Sequence, residues 1–141
     1  SSDVCSSDLY YRLVRNVKKV YPISKEINQA IIETYEYLQT LPNEKARQKH
    51  LKRVEKGLKE QYTARMKKLS FAQGKLLIKL IDRQSNSTSY ELVKAFMGPF
   101  KAGFYQTFAA LFGASLKKEY DPLGEDKLTE RVVLLVENGQ I

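Results

Sequence analysis

The chain has 141 residues, enough for one domain with a real core, and 43% of them are hydrophobic against 28% charged, which excludes a disordered polyampholyte. It carries 24 basic and 16 acidic residues, a net charge of +8, which favours anionic partners without naming one. A single cysteine excludes an internal disulfide, and only 7 Gly and 4 Pro with no sustained apolar–polar alternation point to helices.

The opening nonamer, SSDVCSSDL, shares no pattern with the basic amphipathic segment after it and is expected to be a non-native, disordered tail. It back-translates without a gap to AGT TCA GAC GTG TGC TCT TCC GAT CT, the end of a widely used sequencing adapter. On that reading Cys5 plays no part in function. Removing Asp3 and Asp8 leaves 24 basic against 14 acidic residues, a net charge of +10. The native part is then a single helical domain over 10–141, truncated at its N-terminus.

About six helices are expected in this all-α domain. The first, Tyr10 to Tyr21, sets Tyr10, Leu13, Val14, Val17 and Val20 on one face against Arg12, Arg15, Lys18 and Lys19. Pro22 is expected to break or kink it, because proline donates no N–H and disfavours helix at the preceding residue. A second helix over Ser24 to Thr40 uses Ile27, Ala30, Ile31 and Leu38, and Asn43 is the expected N-cap of the third. That third helix, Glu44 to Leu69, points Leu51, Val54, Leu58, Tyr62 and Leu69 at the core and is very basic elsewhere.

Ser70 and Gln73 form a capping box at the head of a helix near 70–84, apolar almost all round through Phe71, Leu76, Leu77, Ile78, Leu80 and Ile81, hence central and mostly buried. Its exception is a stripe of Lys75, Lys79, Asp82 and Arg83. A second capping box, Thr88 with Glu91, heads SYELVKAF. After MGP, the run FKAGFYQTFAALFGASL spaces Phe100, Phe104, Phe108 and Phe112 four apart with small residues alongside. It is too short and too polar to cross a membrane and is expected to be a buried hairpin helix. The turn EYDPLGED leads to a last helix through Leu128, Val132, Leu135 and Val136, stopped at Asn138–Gly139.

Chemistry is sparse. His50 is the sole histidine, set among cations and expected to be exposed, so no metal site and no Ser–His–Asp or Cys–His nucleophile is expected. The glycines form no nucleotide-binding loop, and no cofactor is expected. Asp121, Glu125 and Asp126 cluster in one turn with Glu119 close by, either as paired carboxylates for hydrolysis or, the favoured reading, as the acidic residues ordinary in turns and helix starts. Buried Lys75, Lys79 and Arg83 need partners, with Glu91, Asp121 or Asp82 as candidates. They form either a structural ion-pair network or a site in which Lys79 or Arg83 reads an anionic ligand. The third helix offers a basic face of Lys45, Lys49, Lys52, Arg53, Lys56 and Lys59, with Arg47 nearby. No stacking aromatics interleave with these cations, so nucleic acid is a weak third candidate. Tyr10, Tyr11, Tyr21, Tyr35 and Tyr37 are read as a core edge.

The segments YYRLVRNVKKVYP, FAQGKLLIKLIDRQ, TSYELVKAF and LKKEYDP, in that order, resemble the domain-of-unknown-function family 4294, found mainly in Bacteroidota. The resemblance covers Tyr10 to Ile141. It departs in detail, with YPIS where YPYA is expected and Phe104–Tyr105–Gln106 where an aromatic with Trp is usual. It implies longer parent proteins with an N-terminal export signal, and therefore periplasmic or envelope residence, but no activity and no ligand. Two functions remain open. One is a non-catalytic helical envelope protein that binds a protein partner or anionic surface through the basic helix. The other is a hydrolase or transferase using Lys75, Lys79 and Arg83 with Glu91 or Asp121, which requires an enclosed pocket lined by Lys79, Arg83, Glu91 and Asp121.

Overall fold

A computed structural model describes residues 2–88, 91–113 and 119–141, with side chains from residue 7 onward. Five helices follow one another: α1 (Ser2–Gln39), α2 (Glu44–Met66), α3 (Phe71–Ser87), α4 (Glu91–Phe112) and α5 (Lys127–Glu137). The domain is all-α, with no strand among the described residues.

Two prolines lie inside helices. α1 runs through Pro22, where a break or kink is expected, and merges the first two expected helices, while α4 runs through Pro99 and joins SYELVKAF to the Phe-rich run. An interior proline costs a helix about 3 kcal/mol. In α1 that cost is outweighed by the burial of Val17, Val20, Ile27 and Ile31 along one continuous face, at about 1.5–3 kcal/mol for each such side chain. Buried Ser24 steadies the backbone there: its hydroxyl donates to the Tyr21 carbonyl at 2.7 Å and accepts from Gln84 Nε2 of α3 at 2.9 Å. In α4, Met97 and Phe100 are buried on either side of Pro99, and the Phe96 and Phe100 rings lie 5.4 Å apart. Residues 2–9 also differ from the expected disordered tail, being the first turns of α1.

Local signals position the remaining ends. The Asn43 side chain accepts from Ala46 N at 2.9 Å and starts α2, which continues through Gly57. Ser70 and Gln73 complete the capping box of α3. Thr88 follows the end of α3 in extended conformation, and Ser89 and Tyr90 of the second expected capping box lie outside the described residues. The 114–116 end of the Phe-rich run also lies outside them. α5 stops where expected, with Gly139 at φ 69° taking the left-handed turn glycine favours.

The core is one cluster around α3. α1 packs along α3, α4 covers another side of it, α2 lies across α1 and α4, and α5 rests on α1. Leu77, Ile78, Leu80 and Ile81 of α3 meet Phe104, Phe108 and Met97 of α4 in this cluster. Gly74 permits the close α3–α4 approach: a Cβ there would meet the Phe112 ring at 2.8 Å. Phe71, expected in the core, is about half exposed and stacks at its edge on Phe108 and Phe112. Of the tyrosine cluster, Tyr21 is buried, Tyr10 and Tyr35 are half-buried, and Tyr11 and Tyr37 are exposed. His50 is half-buried rather than exposed, its ring 4.6 Å from that of Tyr37.

Candidate functional site

The apolar circumference of α3 carries Lys79, Asp82 and Arg83 inward with Lys75 at the edge, and their counter-charges come from Asp126 in the turn before α5, from Glu130 and Glu137 in α5, and from Lys101 in α4. Lys79, Asp82 and Asp126 are only 6%, 0% and 6% exposed, a depth at which an unpaired charge would cost several kcal/mol. Lys79 Nζ donates to both Asp126 carboxylate oxygens, at 2.7 and 3.0 Å, and the Asp121 backbone N–H donates to the same carboxylate at 2.9 Å. One turn along, Arg83 Nε donates to Glu130 at 2.7 and 2.9 Å, and its outer nitrogen pairs with Glu137 at 2.8 Å. Asp82 pairs with Lys101 of α4 and accepts the Tyr120 backbone N–H at 2.8 Å. The Tyr120 hydroxyl closes the seam by donating to Glu130 at 3.1 Å.

Burial draws the Arg83 guanidinium down, but Glu130 and then Glu137 more than offset it, so its pKa lies above the ordinary arginine value. Burial raises the Tyr120 phenol, and the neighbouring Glu130 raises it further. The Tyr105 phenol is pushed up to about 12 by burial, then by the charges of Asp82 and Glu119. These groups hold one another's charge rather than presenting it.

The four weak catalytic candidates are not brought together. Lys79 and Arg83 are spent on Asp126, Glu130 and Glu137. Glu91 is exposed at the start of α4, pairs with Lys94 at 3.5 Å, and lines a separate cleft of about 620 Å³ with Tyr35 and Leu92. The Asp121 carboxylate is exposed, and only its backbone joins the seam. Lys75 is half-buried beside a shallow cleft of about 270 Å³ that also touches Lys79 and Asp126. The true partners, Asp126, Glu130, Glu137 and Lys101, are not among the candidate partners the sequence offered, because tertiary packing decides which charges of the 119–137 segment and of α4 turn inward. One signal was available: Lys101 is the only charged residue in the run FKAGFYQTFAALF, as Asp82 is an acid in an apolar helix.

α2 shows the opposite arrangement. Lys45, Lys49, Lys52, Arg53, Lys56 and Lys59 are all exposed, and none forms an ion pair with a described residue. At 3.6 residues per turn they fall within a stripe about 120° wide and about 21 Å long. Their stripe lies opposite Leu51, Leu58 and Tyr62, which face the core. Among the described residues no cluster of His, Cys, Asp and Glu could hold a metal ion, and no helix is long and apolar enough to cross a membrane.

Fold and surface together define an all-α protein with a closed ionic interior and an open cationic face. The family model described as Domain of unknown function (DUF4294) matches residues 4–135, and the chain belongs to that family. The match begins inside the stretch that reads as adapter. No curated protein and no solved structure matches the chain.

Proposed function

We propose that this is a non-catalytic helical protein of the cell envelope whose α2 face binds a protein partner or an anionic surface. One observation carries the reading: the interior cations Lys79, Arg83 and Lys101 each have a carboxylate, while the six cations of the α2 stripe have none. An exposed, unneutralised stripe attracts anions at long range and loses that attraction as salt screens it. The envelope placement rests on the family resemblance.

Co-sedimentation with vesicles containing anionic lipid, and capture from envelope extract, test the reading at low and high salt. Parent protein binds at low salt and is released at high salt. A Lys49→Glu/Lys52→Glu/Lys56→Glu variant that retains parental binding overturns it.

A further inference from the structure

Beside the C-terminal end of α2, away from its cationic stripe, α1, α2 and the turn after it flank an open, shallow groove of about 420 Å³. Its base is apolar: Pro22 and Ile23 from α1, and Leu69 from the turn after α2. Leu69 is buried and the Pro22 ring has no rotamer by which to swing inward, so this base is largely preformed. Its rim carries Lys19 and Lys68, both exposed and neither in an ion pair with a described residue. Their aliphatic stems can lie along the apolar base while their ammonium groups stand at the mouth.

The acid in the wall does not cancel these cations. Glu26 is gripped by Arg65 through two hydrogen bonds of 2.5 and 3.2 Å, which hold its carboxyl below the usual glutamate range. That wall is already neutral, and the cleft keeps a surplus of two positive charges from Lys19 and Lys68. The carbonyls of Thr63, Arg65 and Met66 at the end of α2 are occupied, accepting from the N–H groups of Lys67, Lys68 and Leu69.

An apolar base under two unpaired cations matches one ligand chemistry. We infer that this cleft binds a single-chain amphiphile with an anionic head group, the head between Lys19 and Lys68 and the first part of the chain along Pro22, Ile23 and Leu69. A free inorganic anion would use only the rim, and an uncharged detergent only the base. The inference is independent of the α2 stripe, since neither lysine belongs to it.

Calorimetric titration of the whole chain with dodecyl phosphate, held below its critical micelle concentration, tests it. The expected result is saturable one-to-one binding. Affinity falls at least tenfold in Lys19→Glu/Lys68→Glu and in Ile23→Ser, each checked for an unchanged helical circular dichroism spectrum. Inorganic phosphate at the same concentration does not compete, and an uncharged twelve-carbon detergent binds at least tenfold more weakly. The α2 variant Lys49→Glu/Lys52→Glu/Lys56→Glu binds dodecyl phosphate like the parent. Undiminished binding by the Lys19/Lys68 variant, full competition by inorganic phosphate, or equal loss in the α2 variant would each overturn the site.

Discussion

Lysines and arginines meet two fates on neighbouring helices. On α2 the stripe from Lys45 to Lys59 stands in water on the side opposite Leu58 and Tyr62, without carboxylate partners among the described residues, while Arg47 and Arg65 near the helix ends pair with Glu44 and Glu26. On α3, Lys79 and Arg83 are turned inward and tied to Asp126, Glu130 and Glu137. The difference comes from their surroundings. α2 has a single apolar stripe and leaves the rest of its circumference to solvent, whereas α3 is apolar nearly all round and takes its charges inside with it. A cation in the first setting adds little to stability and is available to a partner. In the second it specifies where the 119–137 segment docks and is available to nothing else.

The sharpest way to break this contrast is to remove one half of a buried pair. Lys79→Met should lower unfolding free energy by about 3–5 kcal/mol by stranding Asp126, measured by urea denaturation. Adding Asp126→Asn, which keeps an acceptor for the Asp121 N–H, should recover most of that loss. A double variant no more stable than Lys79→Met would show that the pair is not what the lysine contributes.

Gly74→Val should cost about 1–3 kcal/mol by forcing a side chain against the Phe112 ring. If Phe112→Ala in that background does not relieve part of the cost, the α3–α4 approach is not its source.

Alkaline pH should weaken the seam selectively. Tyr105 and Tyr120 keep their protons above the ordinary tyrosine value, so the native state binds protons that the unfolded chain has released. Their stabilising effect is complete below about pH 10 and is lost as pH rises through the folded values. The urea midpoint should fall between about pH 10 and 12, and Tyr105→Phe should flatten that slope. An identical slope in the variant would show that Tyr105 contributes nothing to it.

The smallest stability effect belongs to the open face. Single charge reversals at Lys49, Lys52 or Lys56 should change unfolding free energy by no more than about 0.5 kcal/mol, although the triple reversal abolishes salt-sensitive binding. A loss of about 2 kcal/mol or more from one reversal would mean that the stripe is structural after all.

Much of the helical framework was legible because its signals are local. Asn43, the Ser70–Gln73 box and Asn138–Gly139 act within a few residues, and the stripes of α1 and α2 follow from spacing alone. Pro22 misled for the same reason: a proline's local cost is visible in sequence, but the tertiary burial that outweighs it is not. The candidate site was half legible. Sequence marked Lys79 and Arg83 as cations on a buried helix that needed partners. It pointed to Glu91, Asp121 or Asp82, whereas Lys79 meets Asp126, five residues beyond Asp121, and Arg83 meets Glu130 and Glu137, a choice of rotation and register that only the docking of the 119–137 segment makes.

By itself, then, the amino-acid sequence determined that the chain is helical, where most helices start and stop, which faces are apolar, and that α2 is a cationic strip. These depend on periodicity and on hydrogen bonds closed within a turn or two. Only the tertiary structure decided which prolines could be tolerated, which carboxylate met which buried cation, and that Lys19 and Lys68 share one apolar cleft. Each of those depends on side chains brought together from distant parts of the chain, where packing free energy overrides local preference.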